Sequence, residues 1–199
     1  MPAALAYFLF FAVVCWIAAL RHWRRVEYVA KPATLAALIA YAALAPDTPR
    51  LLLVALAASL AGDVFLMLPF DAFAAGLGAF LVAHLAYIAT FDAAWTTRAV
   101  WFGALVACTA PANLRVLRAI PPGALRPAAT AYTLVLLLMT ASAIASGPRI
   151  AAVGALLFLL SDTLLAWDRF VRPWSWAHAA VLVTYHLGQL GLTLGLLAR

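Results

Sequence analysis

The chain has 199 residues, of which 68% are hydrophobic and 10% are charged. Its mean hydropathy is +1.05. A soluble domain is about 45–50% apolar and about 25% charged, and a domain of this size leaves too much of its surface exposed to bury so many apolar side chains. The composition therefore excludes a disordered chain, a disulfide scaffold and a soluble enzyme, and it predicts an integral membrane protein.

The charge balance is basic, with 13 Lys and Arg against 7 Asp and Glu, for a net charge of +6. These basic residues lie in short segments between apolar runs and form no patch interleaved with exposed aromatic residues, so we expect no nucleic-acid partner. Cys15 and Cys108 both fall inside apolar runs, which argues against a disulfide framework or a cysteine metal site.

Apolar runs fill the chain, each close to the roughly 20 residues that cross a bilayer. Pro, Gly and charged clusters separate them, for example at residues 46–50, 121–123 and 147–149. Because lipid cannot satisfy a bare backbone, such runs must be helices. The sequence therefore predicts an all-α polytopic membrane helix bundle of about eight transmembrane helices. We expect a single domain, residues 1–199. The predicted spans are Ala3–Leu20, Val29–Ala45, Leu51–Leu68, Ala72–Phe91, Ala99–Asn113, Leu125–Ser146, Ile150–Trp167 and Ala177–Ala198.

The distribution of Lys and Arg predicts the orientation of these spans. Nine of the 13 lie in odd-numbered loops, whereas Arg50, Arg98, Arg149 and Arg199 lie in even-numbered loops or at the C-terminus. Because basic residues concentrate in cytoplasmic loops, the odd loops are expected to be cytoplasmic and both termini non-cytoplasmic. The expected location is the inner (plasma) membrane of a bacterium.

Two acidic residues, Asp63 and Asp162, lie inside apolar runs, whereas the other five lie in loops or at span ends. A carboxylate near the bilayer centre costs about 2.5–3.5 kcal/mol, so each is a functional-site candidate. The structural alternative is an Asp that only hydrogen-bonds a neighbouring helix. Each is the thirteenth residue of its predicted span, and both spans run in the same direction. Two carboxyl groups are therefore expected at equal depth, about 7–8 Å from the cytoplasmic ends of their helices.

The segments around the two aspartates are alike. Leu60–Leu66 and Leu159–Leu165 each place a small residue before the Asp and a Leu three residues to either side. Duplication of a four-helix unit would explain this similarity, as in the parallel repeats of some transporters.

Other polar residues fall on single helix faces. Two stripes follow the three- and four-residue spacing of a helix face. The stripe in the fourth span consists of Gly76, Phe80, His84 and Tyr87. The stripe in the eighth span consists of His178, Leu182, Tyr185 and Gln189, and His186 lies beside it. A lone intramembrane His is more often a packing residue, but two such stripes together with two carboxylates favour a lined cavity.

Three further residues have both a functional and a structural interpretation. Lys31 can extend to the membrane interface, or it can bind a lipid phosphate or an Asp. Ser59 stands four residues before Asp63 and Ser161 directly precedes Asp162, so each hydroxyl can bond its Asp or the helix backbone. Glycines 62, 76, 78 and 154 are expected to allow close helix packing.

Several catalytic motifs do not occur in the sequence. It contains no Gly-x-Ser-x-Gly elbow, no His-Glu-x-x-His, no phosphate loop and no dinucleotide fingerprint. No single helix supplies two metal ligands three or four residues apart, so we expect no metal and no cofactor.

An ordered set of short motifs resembles the YhhN-like lysoplasmalogenase family across nearly the whole chain. The matching positions are Lys31-Pro32 with Thr34, Gly62-Asp63, Gly78-Ala79-Phe80 through His84 and Tyr87, Gly154–Phe158 leading to Ser161-Asp162, and Tyr185 with Gln189. The resemblance implies an eight-span membrane enzyme that cleaves the vinyl ether bond of lysoplasmalogens, with Asp63 and Asp162 as the catalytic pair. It also implies a lysophospholipid substrate, water and membrane lipid as partners.

Two hypotheses explain the intramembrane acids. The first is a lipid hydrolase in which Asp63 and Asp162 act as general acid and base. In this hypothesis the residues that bind substrate or line the cavity are Lys31, Ser59, His84, Tyr87, Ser161, Tyr185, His186 and Gln189. The second is a small transporter or proton-coupled channel that uses the same Asp pair. Neither Asp helix contains Pro and each has one Gly, which tilts against the broken helices of a transporter. A purely structural membrane protein would leave both acids unexplained.

Overall fold

The computed structural model describes residues 2–198, which form eight α-helices joined by short loops. The helices are α1 (Pro2–Leu20), α2 (Arg24–Ala43), α3 (Arg50–Met67), α4 (Phe73–Thr90), α5 (Trp95–Ala119), α6 (Leu125–Ala145), α7 (Arg149–Phe170) and α8 (Ala177–Leu197). The predicted all-α polytopic bundle is confirmed. Within residues 2–198, seven helices are long and apolar enough to cross a membrane.

The helix α2 is the one outside this set of seven. It begins at Arg24, five residues before the predicted start of the span, and its first two turns contain Arg25, Glu27 and Lys31. These charges lower its mean hydropathy, whereas its second half is as apolar as the other spans.

The helix α5 is longer than predicted. It runs unbroken for 25 residues and includes Pro111 in its interior, whereas the sequence suggested an end shortly after this proline. A proline removes one backbone donor and commonly kinks a helix, but membrane helices tolerate it because neighbouring groups satisfy the backbone.

The chain divides into two compact units of four helices each. The first contains residues 2–90 together with 196–198, and the second contains residues 91–195. In the first unit α1 packs on α2, α2 on α3, and α3 on α4. In the second unit α6 packs on both α5 and α7, and α5 also contacts α7. The division falls between α4 and α5 along the chain, which is also the boundary between the two possible four-helix repeats.

The two helices that carry the aspartates begin in the same way. Pro49 and Pro148 are the N-cap residues of α3 and α7, each with an extended backbone, and an arginine follows each of them. Asp63 and Asp162 are both the fourteenth residue of their helices, so their equal distance from the helix start is confirmed. The distance to the helix end differs. Only four residues of α3 follow Asp63 but eight residues of α7 follow Asp162, which at 1.5 Å per residue is about 6 Å against about 12 Å.

Glycines bring the helices of each unit into close contact, as predicted at residues 62, 76 and 154. A Cβ built on Gly62 would lie 2.6 Å from the Phe80 ring, and one on Gly154 would lie 2.4 Å from the backbone nitrogen of Leu192. Gly188, Gly191 and Gly195 on α8 complete the contact with α7. The expectation for Gly78 is wrong, because a Cβ there would meet nothing within 4 Å.

This packing predicts that Gly154→Ala destabilises the protein. The added methyl group would collide with the α8 backbone, which cannot rotate away as a side chain can, and overpacking of this kind costs about 1–3 kcal/mol. We expect a thermal unfolding midpoint several degrees below that of the wild type in detergent. Gly103→Ala is the control, because its methyl group would enter open space; equal midpoints for the two variants would contradict the packing.

Candidate functional site

In the first unit, Asp63 of α3 forms an ion pair with Lys31 of α2. The Lys31 Nζ lies 3.0 Å from Asp63 Oδ1, and the two side chains are 9% and 1% exposed. Of the interpretations open for Lys31, the structure therefore selects binding to an Asp. Such a pair is only weakly screened, because little water reaches either charge.

Glu27 lies one helical turn before Lys31 on α2, and the thiol of Cys15 on α1 is buried in the same unit. The expected cavity-lining residue Ser59 lies one turn before Asp63 and is fully buried.

The hydroxyl of Ser59 has no hydrogen-bond partner among residues 2–198. A buried hydroxyl without a protein partner is an unusual feature that costs free energy. The predicted bond from Ser59 to Asp63 is therefore not present, and neither is the alternative bond to the α3 backbone. His84 and Tyr87 of α4 are also fully buried in this unit.

In the second unit, Asp162 of α7 accepts a hydrogen bond from Tyr132 of α6. The Tyr132 hydroxyl donates to Asp162 Oδ2. Tyr132 is buried, whereas Asp162 is partly exposed. Sequence reasoning did not identify Tyr132, because a lone tyrosine in a span is an ordinary residue; the neighbouring Thr130 and Thr133 gave the only sign that this part of α6 is polar.

The second polar stripe is only partly as predicted. Tyr185, His186 and Gln189 are buried on α8, and the Gln189 amide nitrogen lies 3.4 Å from the Tyr185 hydroxyl. His178 is exposed in the first turn of α8, unlike the buried members of this stripe.

Ser161 bonds the backbone of a neighbouring helix. Its hydroxyl donates to the carbonyl oxygen of Val181 at 3.0 Å, which links α7 to α8. The expectation that Ser161 bonds Asp162 is therefore wrong, and so is the alternative bond to its own helix. The hydroxyl sits on the α7 face that packs against α8, where Gly154 also lies.

Arg98 is a buried cation that the sequence placed in a loop. It lies in the first turn of α5 and is 8% exposed. Its guanidinium donates to the carbonyl oxygens of Phe91 at 2.6 Å and Ala93 at 3.1 Å and to the Ser142 hydroxyl at 3.2 Å. These bonds fasten the loop before α5 to α6, so Arg98 has a structural role in the second unit.

Each unit thus supplies one intramembrane carboxyl group with its own partner. Asp63 lies in the same unit as the predicted residues Lys31, Ser59, His84 and Tyr87. Asp162 lies in the same unit as the predicted residues Ser161, Tyr185, His186 and Gln189. Within residues 2–198, no three His, Cys, Asp or Glu side chains are grouped as metal ligands would be. The chemistry available within the two units is that of carboxyl groups, a lysine, histidines and hydroxyls.

Apolar helices that enclose an ion pair and a hydrogen-bonded carboxyl group define a polytopic α-helical membrane protein with ionisable residues at membrane depth. The chain belongs to the YhhN family, whose sequence profile matches residues 26–196. This confirms the resemblance seen in the sequence motifs.

Comparison with characterised proteins gives similar relatives in mammals. The chain is 38% identical to lysoplasmalogenase TMEM86B of Homo sapiens over 148 residues, which is 74% of this chain and 64% of the human protein. It is 38% identical over 147 residues to the Rattus norvegicus protein of the same name, covering 72% of this chain and 60% of the relative. The chain thus spans about three-fifths of the length of these curated relatives. No solved structure matches the chain.

The buried ion pair predicts an unusual pattern of stabilities. Lys31→Met and Asp63→Asn should each lower the free energy of unfolding by about 3–5 kcal/mol, because each leaves one buried charge without its partner. The double variant removes both charges and should recover most of this loss. Thermal unfolding of the four proteins in one detergent measures it, and additive losses in the double variant would show that the two charges do not interact.

Proposed function

We propose that the protein hydrolyses the vinyl ether bond of lysoplasmalogens and releases a fatty aldehyde and glycerophosphoethanolamine or glycerophosphocholine. The observation that carries this proposal is the 36–38% identity to lysoplasmalogenases over 70–74% of the chain. The partners are a lysophospholipid and water within the membrane, which suits a helix bundle with carboxyl groups at depth.

The proposed reaction uses two carboxyl groups in different roles. Hydrolysis of a vinyl ether begins with transfer of a proton to an alkene carbon, which gives an oxocarbenium ion that water then captures. One protonated carboxylic acid must supply the proton, and one carboxylate must stabilise the cation and activate the water. Glycoside hydrolysis passes through a similar cation with the same division of roles, and general acid–base help of this kind contributes about 10²–10⁴ in rate.

Asp63 and Asp162 are the proposed acid–base pair. They are the two carboxyl groups in the interior of apolar helices, and each is hydrogen-bonded or ion-paired through a residue of the preceding helix. The proposed substrate-binding and cavity-lining residues are Ser59, His84, Tyr87, Tyr185, His186 and Gln189. Lys31 and Ser161 act through the groups that they bond.

The proposal predicts aldehyde release from lysoplasmenylethanolamine by the purified protein in detergent. Asp162→Asn should lower the rate at least about 100-fold, as should Asp63→Asn combined with Lys31→Met, which leaves no buried charge unpaired. A coupled aldehyde reductase assay measures the rate. The matched control is Asp92→Asn, which changes an exposed loop carboxylate and should retain full activity.

Turnover that survives in both variants would show that the two carboxyl groups are not catalytic. Failure of the wild type to cleave any ether or ester lysolipid, together with ion-driven uptake into liposomes, would overturn the hydrolase. That result would instead favour the transporter or proton-coupled channel that uses the same Asp pair.

We further propose that both termini are non-cytoplasmic, in the inner membrane of a bacterium. Eight helices, with nine of the 13 Lys and Arg in the predicted odd-numbered loops, support this orientation. In a Cys108→Ser background, Ser175→Cys should react with a membrane-impermeant thiol reagent only from the cytoplasmic side, and Asp92→Cys only from the opposite side. Labelling of both from the same side would contradict this orientation.

A further inference from the structure

One face of α7 carries Asp162 and, two helical turns later, Arg169. Residues seven positions apart on a helix differ by only about 20° in direction, so the two side chains leave α7 on the same side. Leu165 and Ala166 lie between them on this face, and neither is buried. Asp162 is partly exposed, and Arg169, in the last turn of α7, is exposed. An open apolar strip therefore joins a carboxyl group to a guanidinium group.

The neighbouring helix α6 has small side chains beside this strip. Tyr132 of α6 donates its hydroxyl hydrogen bond to Asp162, and α6 packs on α7 after a loop of only residues 146–148, so the two helices are antiparallel. The α6 turn that precedes Tyr132 therefore runs beside the α7 turn that follows Asp162. On the face of Tyr132 that turn carries Ala128 and Ala129, which are not buried. Small side chains at these two positions leave space for a ligand along the strip.

Tryptophan rings surround the end of α7 that carries Arg169. The ring centres of Trp167 and Trp174 lie 6.5 Å apart, and those of Trp174 and Trp176 lie 5.2 Å apart. Trp is enriched where lipid head groups meet water, so this surround is typical of the level of lipid phosphates. Asp162 lies about 10.5 Å farther along the helix axis, toward the hydrocarbon interior.

We infer that Arg169 binds the phosphate group of the lysophospholipid substrate while the vinyl ether bond lies beside Asp162. This inference rests on the proposed function and deepens it, because it assigns a binding residue to the head group of the substrate. The site that it describes, between α6 and α7, lies wholly within the second unit.

The dimensions of a lysoplasmalogen fit the spacing of the two side chains. Its phosphorus atom and the vinyl carbon next to the ether oxygen are six single bonds apart, which spans about 7–8 Å in an extended chain. The Cα atoms of Asp162 and Arg169 are about 10.5 Å apart along the helix axis. The Cα–Cβ bond of a helical residue tilts toward the helix N-terminus, and this tilt brings the arginine back over the remaining distance of about 3 Å.

The guanidinium group of Arg169 is suited to a phosphate. It lies over the Phe170 ring, 5.5 Å from the ring centre, and a stacked guanidinium keeps its N–H groups at the edge of its plane. Two of them can bind two phosphate oxygens at once, which a lysine cannot do. The neighbouring carboxylate, Asp168, accepts a hydrogen bond from the backbone N–H of Trp174 at 2.8 Å, so it fastens the loop that follows α7.

The other arginines near this end of the unit are placed differently. Arg126 donates to the carbonyl oxygen of Ile120 at 3.1 Å. The Arg115 guanidinium lies over the Trp167 ring, 5.8 Å from its centre, on another side of α7. Arg118 is exposed in the last turn of α5, a helix that carries no carboxyl group. It therefore provides a control of equal charge in the same unit.

Two substrates that differ only in the phosphate-containing head group test the inference. Lysoplasmenylethanolamine has this group, and the matching 1-alkenylglycerol does not. For the wild type, kcat/KM should be about 10–100-fold higher with the phospholipid, as expected for hydrogen bonds between charged groups. In Arg169→Gln this preference should fall to within about threefold. The loss should appear as a higher KM for the phospholipid alone, because a bond to a distant phosphate is the same in the ground and transition states.

Matched variants isolate the contribution of this one arginine. Arg118→Gln removes an equal charge and should keep the wild-type preference. Arg169→Lys retains the charge without the bidentate geometry, so its preference should fall between those of the wild type and Arg169→Gln. Because Arg169 is exposed, thermal unfolding midpoints should be the same in all four proteins.

Three results of these assays would overturn the inference. Equal losses with both substrates in Arg169→Gln would show that the residue does not act through the phosphate. An unchanged preference would place the phosphate elsewhere. A loss of preference in Arg118→Gln as large as in Arg169→Gln would show a general attraction of basic residues for anionic lipid instead of a site at Arg169.

Binding of an analogue that cannot react separates the inference from the proposed function. The saturated 1-alkyl lysophospholipid has the same phosphate and no alkene, and isothermal titration calorimetry in detergent measures its affinity. Arg169→Gln should weaken this affinity about 10-fold or more. That result in a wild type that releases no aldehyde would refute the hydrolase and leave the phosphate site standing.

The converse results refute the site. Aldehyde release by the wild type, with equal analogue binding in the wild type and Arg169→Gln, would leave the hydrolase standing and refute the role of Arg169. Equal binding without aldehyde release would refute both. Displacement of the analogue by an equal concentration of diacyl phosphatidylglycerol would show that the site takes a bilayer phospholipid instead of the lysophospholipid.

Discussion

The structure depends on the need to neutralise charge inside apolar helices. A lysine or an aspartate alone would be costly at this depth, but Lys31 and Asp63 lie 3.0 Å apart and compensate each other. The ion pair also joins α2, the least apolar of the helices, to α3. A buried pair of this kind is not necessarily stabilising relative to apolar residues, so its presence indicates a requirement for the charge itself.

The second unit meets the same requirement with a neutral partner. Tyr132 bonds Asp162 from the same helix position that Lys31 occupies in the first unit, as duplication of a four-helix unit followed by divergence would produce. The two units thus give their carboxyl groups partners of different charge. Acid and base roles arise where environments differ in this way, as in enzymes whose two carboxyl groups have one acidic and one basic task.

Close helix packing fixes these side chains in place. The α8 glycines let α7 approach until Gly154 touches the α8 backbone, and Ser161 adds a hydrogen bond to Val181 on the same face. In lipid, where apolar association between helices has no hydrophobic driving force, small residues and interhelical hydrogen bonds supply the association energy. The packing of α7 against α6 and α8 accompanies the hydrogen bond between Tyr132 and Asp162.

The sequence alone determined the class of protein, the number of helices and their approximate limits, because apolar runs and Pro and Gly breaks are local properties. It also identified Asp63 and Asp162 and their equal distance from the helix start, since a charge within an apolar run stands out without any knowledge of contacts. The sequence predicted that the fifth span ends shortly after Pro111, whereas α5 continues to Ala119. One proline did not end this 25-residue helix.

Only the tertiary structure decided what each polar residue bonds. Lys31 could extend to the interface or bind a phosphate or an Asp, Ser161 could bond Asp162 or the helix backbone, and Tyr132 gave no signal. These outcomes depend on which faces of separate helices meet, and residues 20 to 32 positions apart along the chain are brought together only by packing. The difference between the two aspartates is therefore a property of the fold, although each aspartate by itself is evident in the sequence.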